Sequence, residues 1–305
     1  MKELPLVSVV MPVHNAEEFI GEAIESILNQ TYKHFELIII DDASTDASWP
    51  IIEKNRRIHP KQIKTLHLSR SLGRSGDPAT NIGISKARGK YIAKMDADDI
   101  AHPQRLEKQV NFLEKNSDIF MVGSQAYVID KEGKIIGRKN TPLNHNDIYN
   151  NFFLYCYICH PSLMFRNLRM DGDFYQIKFP YFNEYFNFFK LMNQGKKVAN
   201  LSDYLIYYRI HGKNNSFSNI KKKFLSTLAI KKEFVFKFGY EPTLSQILYT
   251  FAQSFFVFLL PDKVVTFLYL LSRRVIDPKD LFCGIKNRLS PYFSLIKRFG
   301  YFLMK

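Results

Sequence analysis

Three carboxylates fall within four positions of this 305-residue chain: Asp96, Asp98 and Asp99, in the stretch "YIAKMDADDIAHP". Aspartates spaced D-x-D can direct two carboxylates toward one point, as hard oxygen ligands for Mg²⁺ or Mn²⁺. A cation held there keeps positions for phosphate oxygens and neutralises charge on a departing diphosphate. Alone the motif is weak, because acidic triplets in solvated turns are common. Its setting makes it conspicuous: the chain has 43 Lys and Arg against 29 Asp and Glu, a formal net charge of +14. Such an excess favours phosphates, nucleic acids or anionic lipid without selecting among them.

The elements that must position these residues can be read from periodicity. "VSVVMPV" (7–13) is β-branched and reads as a buried strand. Asn15 then reads as an N-cap with Glu18 as its capping-box partner, and Phe19, Ile20, Ala23, Ile24, Ile27 and Leu28 follow at helical spacing. "ELIIIDD" (36–42), "TLHLS" (65–69) and "KYIAKMD" (90–96) repeat the strand pattern, with helical segments between. Strands alternating with helices imply a mainly parallel sheet with right-handed crossovers. Ligands of such sheets bind beyond the carboxyl ends of the strands. Asp41 and Asp42 end one strand and Asp96, Asp98 and Asp99 follow another, so the carboxylates fall where a site is expected. Farther on, 103–116 reads as a helix, "FMVGSQAYVID" as a strand, "DKEGK" as a turn, 184–194 as a helix and "YLIYYRI" as a strand.

Composition narrows the class. Hydrophobic residues make up 46% and charged residues 24%, which suits a globular protein rather than a disordered one. Three Cys do not form a secreted disulfide framework and fit a reducing, cytosolic setting. Cys156 and Cys159 form a C-x-x-C beside His160 but lack a second ligand pair, which favours a packed role over zinc. Trp49 and most of the Phe residues read as core. The opening apolar run is too short for a signal peptide.

The stretches "VSVVMPVHNAEEFIGEAIESILNQTYKHFELIIIDDASTD" and "NIGISKARGKYIAKMDADDIAHPQRLEKQ" resemble the donor-binding half of glycosyltransferase family 2, inverting enzymes with the GT-A fold. The resemblance covers residues 5 to about 125 closely and returns at "CHPSLMF" and "YYRIHGKNNS". It implies an α/β GT-A fold and places Pro12, His14 and Asn15 in a nucleotide pocket, with Glu17 nearby. It also implies that Asp41 or Asp42 accepts hydrogen bonds from uracil or ribose. Asp96 and Asp98 become the family's D-x-D, one toward ribose or phosphate and one toward Mn²⁺ or Mg²⁺, with Asp99 in support. Arg209, His211 and Ser216 resemble its Y-R-x-H element near the diphosphate, which places Arg209 with the nucleotide sugar and His211 with the metal.

Two departures from the family pattern stand out. Ala79, Thr80 and Asn81 occupy the place of Ala-Arg-Asn, so a cation is missing; Arg74 is either its substitute or a solvated loop residue. The family's Glu-Asp pair is replaced by Asn183 and Glu184, which makes Glu184 the expected general base. Inverting transfer is a direct displacement, so that base must lie across the sugar from the metal and reach the acceptor hydroxyl at about 2.6 to 3.2 Å.

After Ser216 the character changes. Residues 217–305 hold 15 Lys and Arg against 5 Asp and Glu, interleaved with apolar stretches such as "LSQILYTFAQSFFVFLLP". That stretch is marginal as a spanning helix. Apolar faces with basic flanks suit the plane of an anionic membrane surface; packing on the catalytic domain or a homodimer interface are the alternatives. The expectation is a catalytic domain over 1–216 and a basic amphipathic helical extension over 217–305. The expected reaction moves a hexosyl or N-acetylhexosaminyl group from a UDP-sugar to a glycan, lipid-linked, in bacterial surface polysaccharide synthesis (O-antigen, capsule or lipopolysaccharide). The enzyme would lie peripherally on the cytoplasmic face of the inner membrane. A catalytically silent nucleotide-sugar binder is the alternative. A nucleic-acid partner is not expected, because much of the charge lies in the tail and no recognised motif accompanies it.

Overall fold

The computed structural model describes residues 4–73, 76–168, 172–211, 219–261 and 264–265. Arg74, Ser216 and the apolar stretches beyond 265 lie outside these. Four strands, β1 (Val7–Val13), β2 (Phe35–Asp41), β3 (Ile63–His67) and β4 (Tyr91–Lys94), pair in parallel in the order β3-β2-β1-β4. The crossovers carry α1 (Ile20–Leu28), α2 (Ser48–Ile58) and α3 (Asp77–Ser85). Every residue of β2 is buried, as for a strand covered on both faces. Alternation divides β1 between two cores: Val7, Val9, Met11 and Val13 pack with Ile20, Ala23, Ile24 and Ile27 of α1, while Val10 faces the other side. On that side α3 comes so close that a Cβ on Gly83 would lie 2.4 Å from Val10 Cγ1, so only glycine fits.

Asn15 is not a helix cap. Helix α1 begins five residues later without a side-chain cap, and Asn15 adopts φ +51°, a left-handed conformation that asparagine tolerates. Its side-chain oxygen instead accepts from Thr45 N at 2.8 Å, which ties the β1 loop to the β2 loop. Glu18 pairs with Lys131 at 2.7 Å rather than closing a capping box.

The sheet continues as a mixed one through β5 (Ile100–Ala101), β6 (Ile119–Ile129), β7 (Ile135–Lys139), β8 (Met164–Arg166) and β9 (Lys197–Arg209). β8 runs antiparallel between β4 and β6, β9 lies parallel to β6, and β5 and β7 are antiparallel additions to β9 and β6. Helices α4 (Arg105–Lys115), α5 (His145–Asn151) and α6 (Asn183–Asn193) complete the α/β unit. In the C-terminal region, α7 (Ile220–Phe236) inserts Ile230 and Phe234 into the aromatic cluster of α6, with Phe234 stacked on Phe189 at 3.6 Å. α8 (Leu244–Leu259) is capped by Thr243 and Gln246 and buries only Gln246. Among the described residues no helix is long and apolar enough to cross a membrane.

Chain order reverses direction at β1, with β2 and β3 on one side and β4 on the other. The crevice beyond the carboxyl ends of β1 and β4 is therefore the place where such a sheet binds ligands.

Candidate active site

Beyond β4 the chain turns sharply, and Asp96, Asp98 and Asp99 bring one ligand atom each within 4.8 Å of one another. The end of β9 returns across them. Arg209 N donates to Asp99 Oδ1 at 2.8 Å, Arg209 Nε donates to Asp98 O at 2.9 Å, and His211 Nε2 lies 3.0 Å from Asp98 Oδ2. The Arg209 guanidinium is 2% exposed and also reaches Lys131 O at 2.7 Å and the carboxylate of Glu22. Arg209 therefore holds the acidic loop in place from behind. Asp99 Oδ2 is buried with no partner among the described residues. Burial, with Asp98 and Asp96 beside it, pushes the Asp99 carboxyl well above the usual carboxylate range. The three carboxylates converging on one point form a donor set whose chemistry fits Mn²⁺ or Mg²⁺, and the His211 imidazole stands beside Asp98.

Lys94, the last residue of β4, is 2% exposed and pairs with Asp96. Burial opposes ionisation of Asp96, but Lys94 and His160 outweigh it and hold the carboxyl below its ordinary value. A cation thus stands in the crevice although Thr80 replaces the expected arginine.

The residues expected around a nucleotide gather at the ends of β1 and β2. His14 Nδ1 lies 2.7 Å from Asp42 O, and Glu17 Oε2 accepts from Ala47 N at 2.8 Å, at the start of α2. Asp41 is fully buried between His67 Nδ1, at 2.6 Å, and the Ser44 hydroxyl. Asp42 accepts from Ser71 Oγ at 2.8 Å, Leu72 N at 2.7 Å and Gly73 N at 3.1 Å. Both carboxylates fix the loops that wall the crevice. Pro12 meets the turn before α3, where a Cβ on Gly76 would lie 3.3 Å from its Cβ.

Glu184 stands in the first turn of α6. Its neighbour Asn183 accepts from Lys178 N and Phe179 N and donates to Phe179 O, a loop lock that a carboxylate could not complete. Phe182, just before, is held at φ +60°, unusual for a bulky side chain and the kind of strain found near functional sites. Burial raises the Glu184 carboxyl to about 7, with Asp96 adding to the rise and Lys94 and Lys223 opposing it. Lys223, from α7, is 4% exposed, lies 5.4 Å over the Tyr181 ring, and is lowered to about 8 by burial.

Sequence reasoning did not assign Lys94, Asp77, Lys223 or Tyr175 to the site. Lys94 was signalled by a lone lysine in the apolar run "YIAKM". Asp77 sits in "LGRSGDP" beside the arginine that drew attention instead. Lys223 and Tyr175, whose hydroxyl lies 2.7 Å from His160 Nε2, depend on tertiary packing and left no local signal. Cys159 is buried, and among the described residues the acidic triplet is the one cluster with metal-donor spacing.

Residues 8–182 match the family model described as "Glycosyl transferase family 2". An uncharacterized glycosyltransferase of Haemophilus influenzae is 37% identical over 226 residues, 71% of this chain and 69% of its own. The UDP-Glc:alpha-D-GlcNAc-diphosphoundecaprenol beta-1,3-glucosyltransferase WfaP of Escherichia coli is 30% identical over 221 residues, 72% of this chain and 83% of its own. Among solved structures, the mannosyltransferase PcManGT of Pyrobaculum calidifontis, in complex with GDP-Man and Mn²⁺, shares the fold. Its TM-score is 0.56 at 16% identity, and the match covers 89% of this chain and 76% of that one.

Proposed function

The chain belongs to glycosyl transferase family 2, and on that premise we propose that it transfers a sugar from a UDP-sugar, with inversion, to a lipid-linked glycan of a bacterial surface polysaccharide. The observation that carries this reading is the meeting of Asp98 with His211 across 113 residues of sequence, over the Asp96–Asp99 loop and in the same crevice as Glu184. The relative that acts on a diphosphoundecaprenol-linked sugar supports the UDP-sugar donor and the acceptor class. The Mn²⁺ bound by the mannosyltransferase supports the metal.

In this mechanism Asp96, Asp98 and His211 would hold a divalent cation, which would stabilise negative charge on the leaving diphosphate. Lys94 adds a fixed positive charge on the same side. The acceptor hydroxyl attacks the anomeric carbon from the opposite face; the new C–O bond forms as the bond to the diphosphate breaks, and the hydroxyl proton passes to Glu184. A carboxyl raised to about 7 suits a base that must be ionised yet able to take a proton near neutrality. Asn183 keeps the loop before α6 in register, so the shift from the family's Asp to the longer Glu is accommodated at the helix start.

The enzyme works at the cytoplasmic membrane surface in this reading. Leu244, Phe251, Phe255 and Leu259 of α8 are all more than half exposed, and Lys222 and Lys232 of α7 are exposed nearby in the chain. Apolar area with basic neighbours suits anionic lipid. The test is transfer from UDP-sugars to a diphosphoundecaprenol-linked sugar, with the product's anomeric configuration read by NMR and sedimentation with anionic liposomes measured alongside. Inverted product and salt-sensitive sedimentation are expected. Retained configuration removes the displacement mechanism, and protein that stays off liposomes at low salt removes the membrane placement.

A further inference from the structure

Asp77 opens α3 directly after Gly76, which adopts φ +78° and brings the turn against Pro12 at the end of β1. Its side chain is 1% exposed, and neither carboxylate oxygen has a hydrogen-bond partner among the described residues. A buried, unpartnered carboxylate is rare because the desolvation of two acceptor atoms goes uncompensated. The start of a helix offsets part of that loss through its positive end, but it supplies no hydrogen bond here. Both acceptors thus lack a donor among the described residues, and a bound ligand would supply one.

The position identifies that donor. Asp77, at the turn that meets Pro12 at the end of β1, lies within electrostatic reach of Glu184, Lys94 and Asp96. In the transfer proposed above, on which this inference rests, the diphosphate sits at the Asp96 side and the acceptor hydroxyl at Glu184. The sugar ring must fill the interval between them. We propose that Asp77 is a donor-sugar-binding residue whose two carboxylate oxygens accept hydrogen bonds from hydroxyls of the pyranose being transferred. It recognises the sugar rather than the nucleotide, and so contributes to the choice among polyhydroxylated donors.

The test compares wild type, Asp77→Asn and Asp77→Ala by calorimetric titration. The probes are a nucleoside diphosphate and its sugar nucleotide, taken from a UDP-, GDP- and dTDP-sugar panel in the presence of Mn²⁺. The expected result is unchanged affinity for the nucleoside diphosphate. Affinity for the sugar nucleotide falls about tenfold to a hundredfold in Asp77→Ala and less in Asp77→Asn, which keeps one acceptor oxygen. Thermal stability of Asp77→Asn stays equal or rises, because no hydrogen bond among the described residues is lost. Equal weakening of both probes, a lowered melting temperature, or unchanged sugar-nucleotide affinity overturns the assignment. Wild type that binds no nucleotide from the panel overturns both this inference and the transferase reading, whereas wild type that binds and turns over a donor, with Asp77 variants indistinguishable from it, overturns this one alone.

Discussion

Buried carboxylates gather at both ends of the parallel strands, and Glu36 at the amino end contrasts with Asp77, Asp99 and Glu184 around the crevice. At the amino ends of β1, β2 and β3, Glu36 is 2% exposed and both its oxygens are occupied. Ser8 Oγ donates at 2.7 Å, Arg88 N at 2.9 Å, Lys64 Nζ at 2.6 Å and Arg88 Nη2 at 3.0 Å. Burial opposes its ionisation, yet these bonds outweigh burial and lower the carboxyl to about 2. At the carboxyl ends Asp41 and Asp42 are likewise bonded and Asp96 is held down beside Lys94, but in the crevice itself burial wins at three groups: Asp77 and Asp99 are pushed well above the carboxylate range and Glu184 to about 7. The difference is one of partners, not depth. The amino end is electrostatically settled and holds the sheet together; the crevice leaves charge unsettled where a substrate and a cation would settle it.

Breaking the unsettled end should abolish chemistry without unfolding the protein. Glu184→Gln is expected to lower transfer about a thousandfold, within the range of general-base catalysis, while donor affinity stays intact; normal turnover in that variant would remove Glu184 from the mechanism. A finer cut is the pH profile. The base acts as a carboxylate, so kcat should fall as pH drops through about 7. Lys223→Met removes a neighbouring cation that favours the ionised form, and the acid limb should move to higher pH. A limb that stays in place would show that α7 does not reach the base electrostatically.

At the settled end the effect is smaller and falls on stability. Glu36→Gln should destabilise the fold by about 1 to 3 kcal/mol and leave turnover per folded molecule unchanged. Because the folded carboxyl is depressed to about 2, its contribution is fully present above the ordinary Glu pKa and is lost as pH falls through about 2. Acid titration of unfolding should therefore lose part of its slope in the variant. A steep loss of activity at full stability would contradict the division between the two ends.

The strands and the crevice, though not the contrast between the ends, were legible in the sequence. Short β-branched apolar runs and the helical spacing between them located the four parallel strands, and the position of Asp41, Asp42 and the D-x-D beyond strand ends pointed to the crevice. Asn15 misled because an Asn before a helical run reads as a cap; the loop-to-loop bond with Thr45 took it instead. Arg209 was legible as part of the site, but its inward direction was not, since only the return of β9 across the acidic loop decides it. Asp77 escaped because a missing partner is a property of three-dimensional packing and has no local pattern.

In the proposed reaction the acidic loop and His211 form the seat of a metal-assisted diphosphate departure. That role is tested most directly by measuring free nucleotide released from UDP-, GDP- and dTDP-sugars with Mn²⁺ or Mg²⁺, comparing wild type with Asp98→Asn. The account predicts metal-dependent release from one donor class, lost in the variant while the protein remains folded. Release that needs no metal, or that proceeds equally in Asp98→Asn, would contradict it.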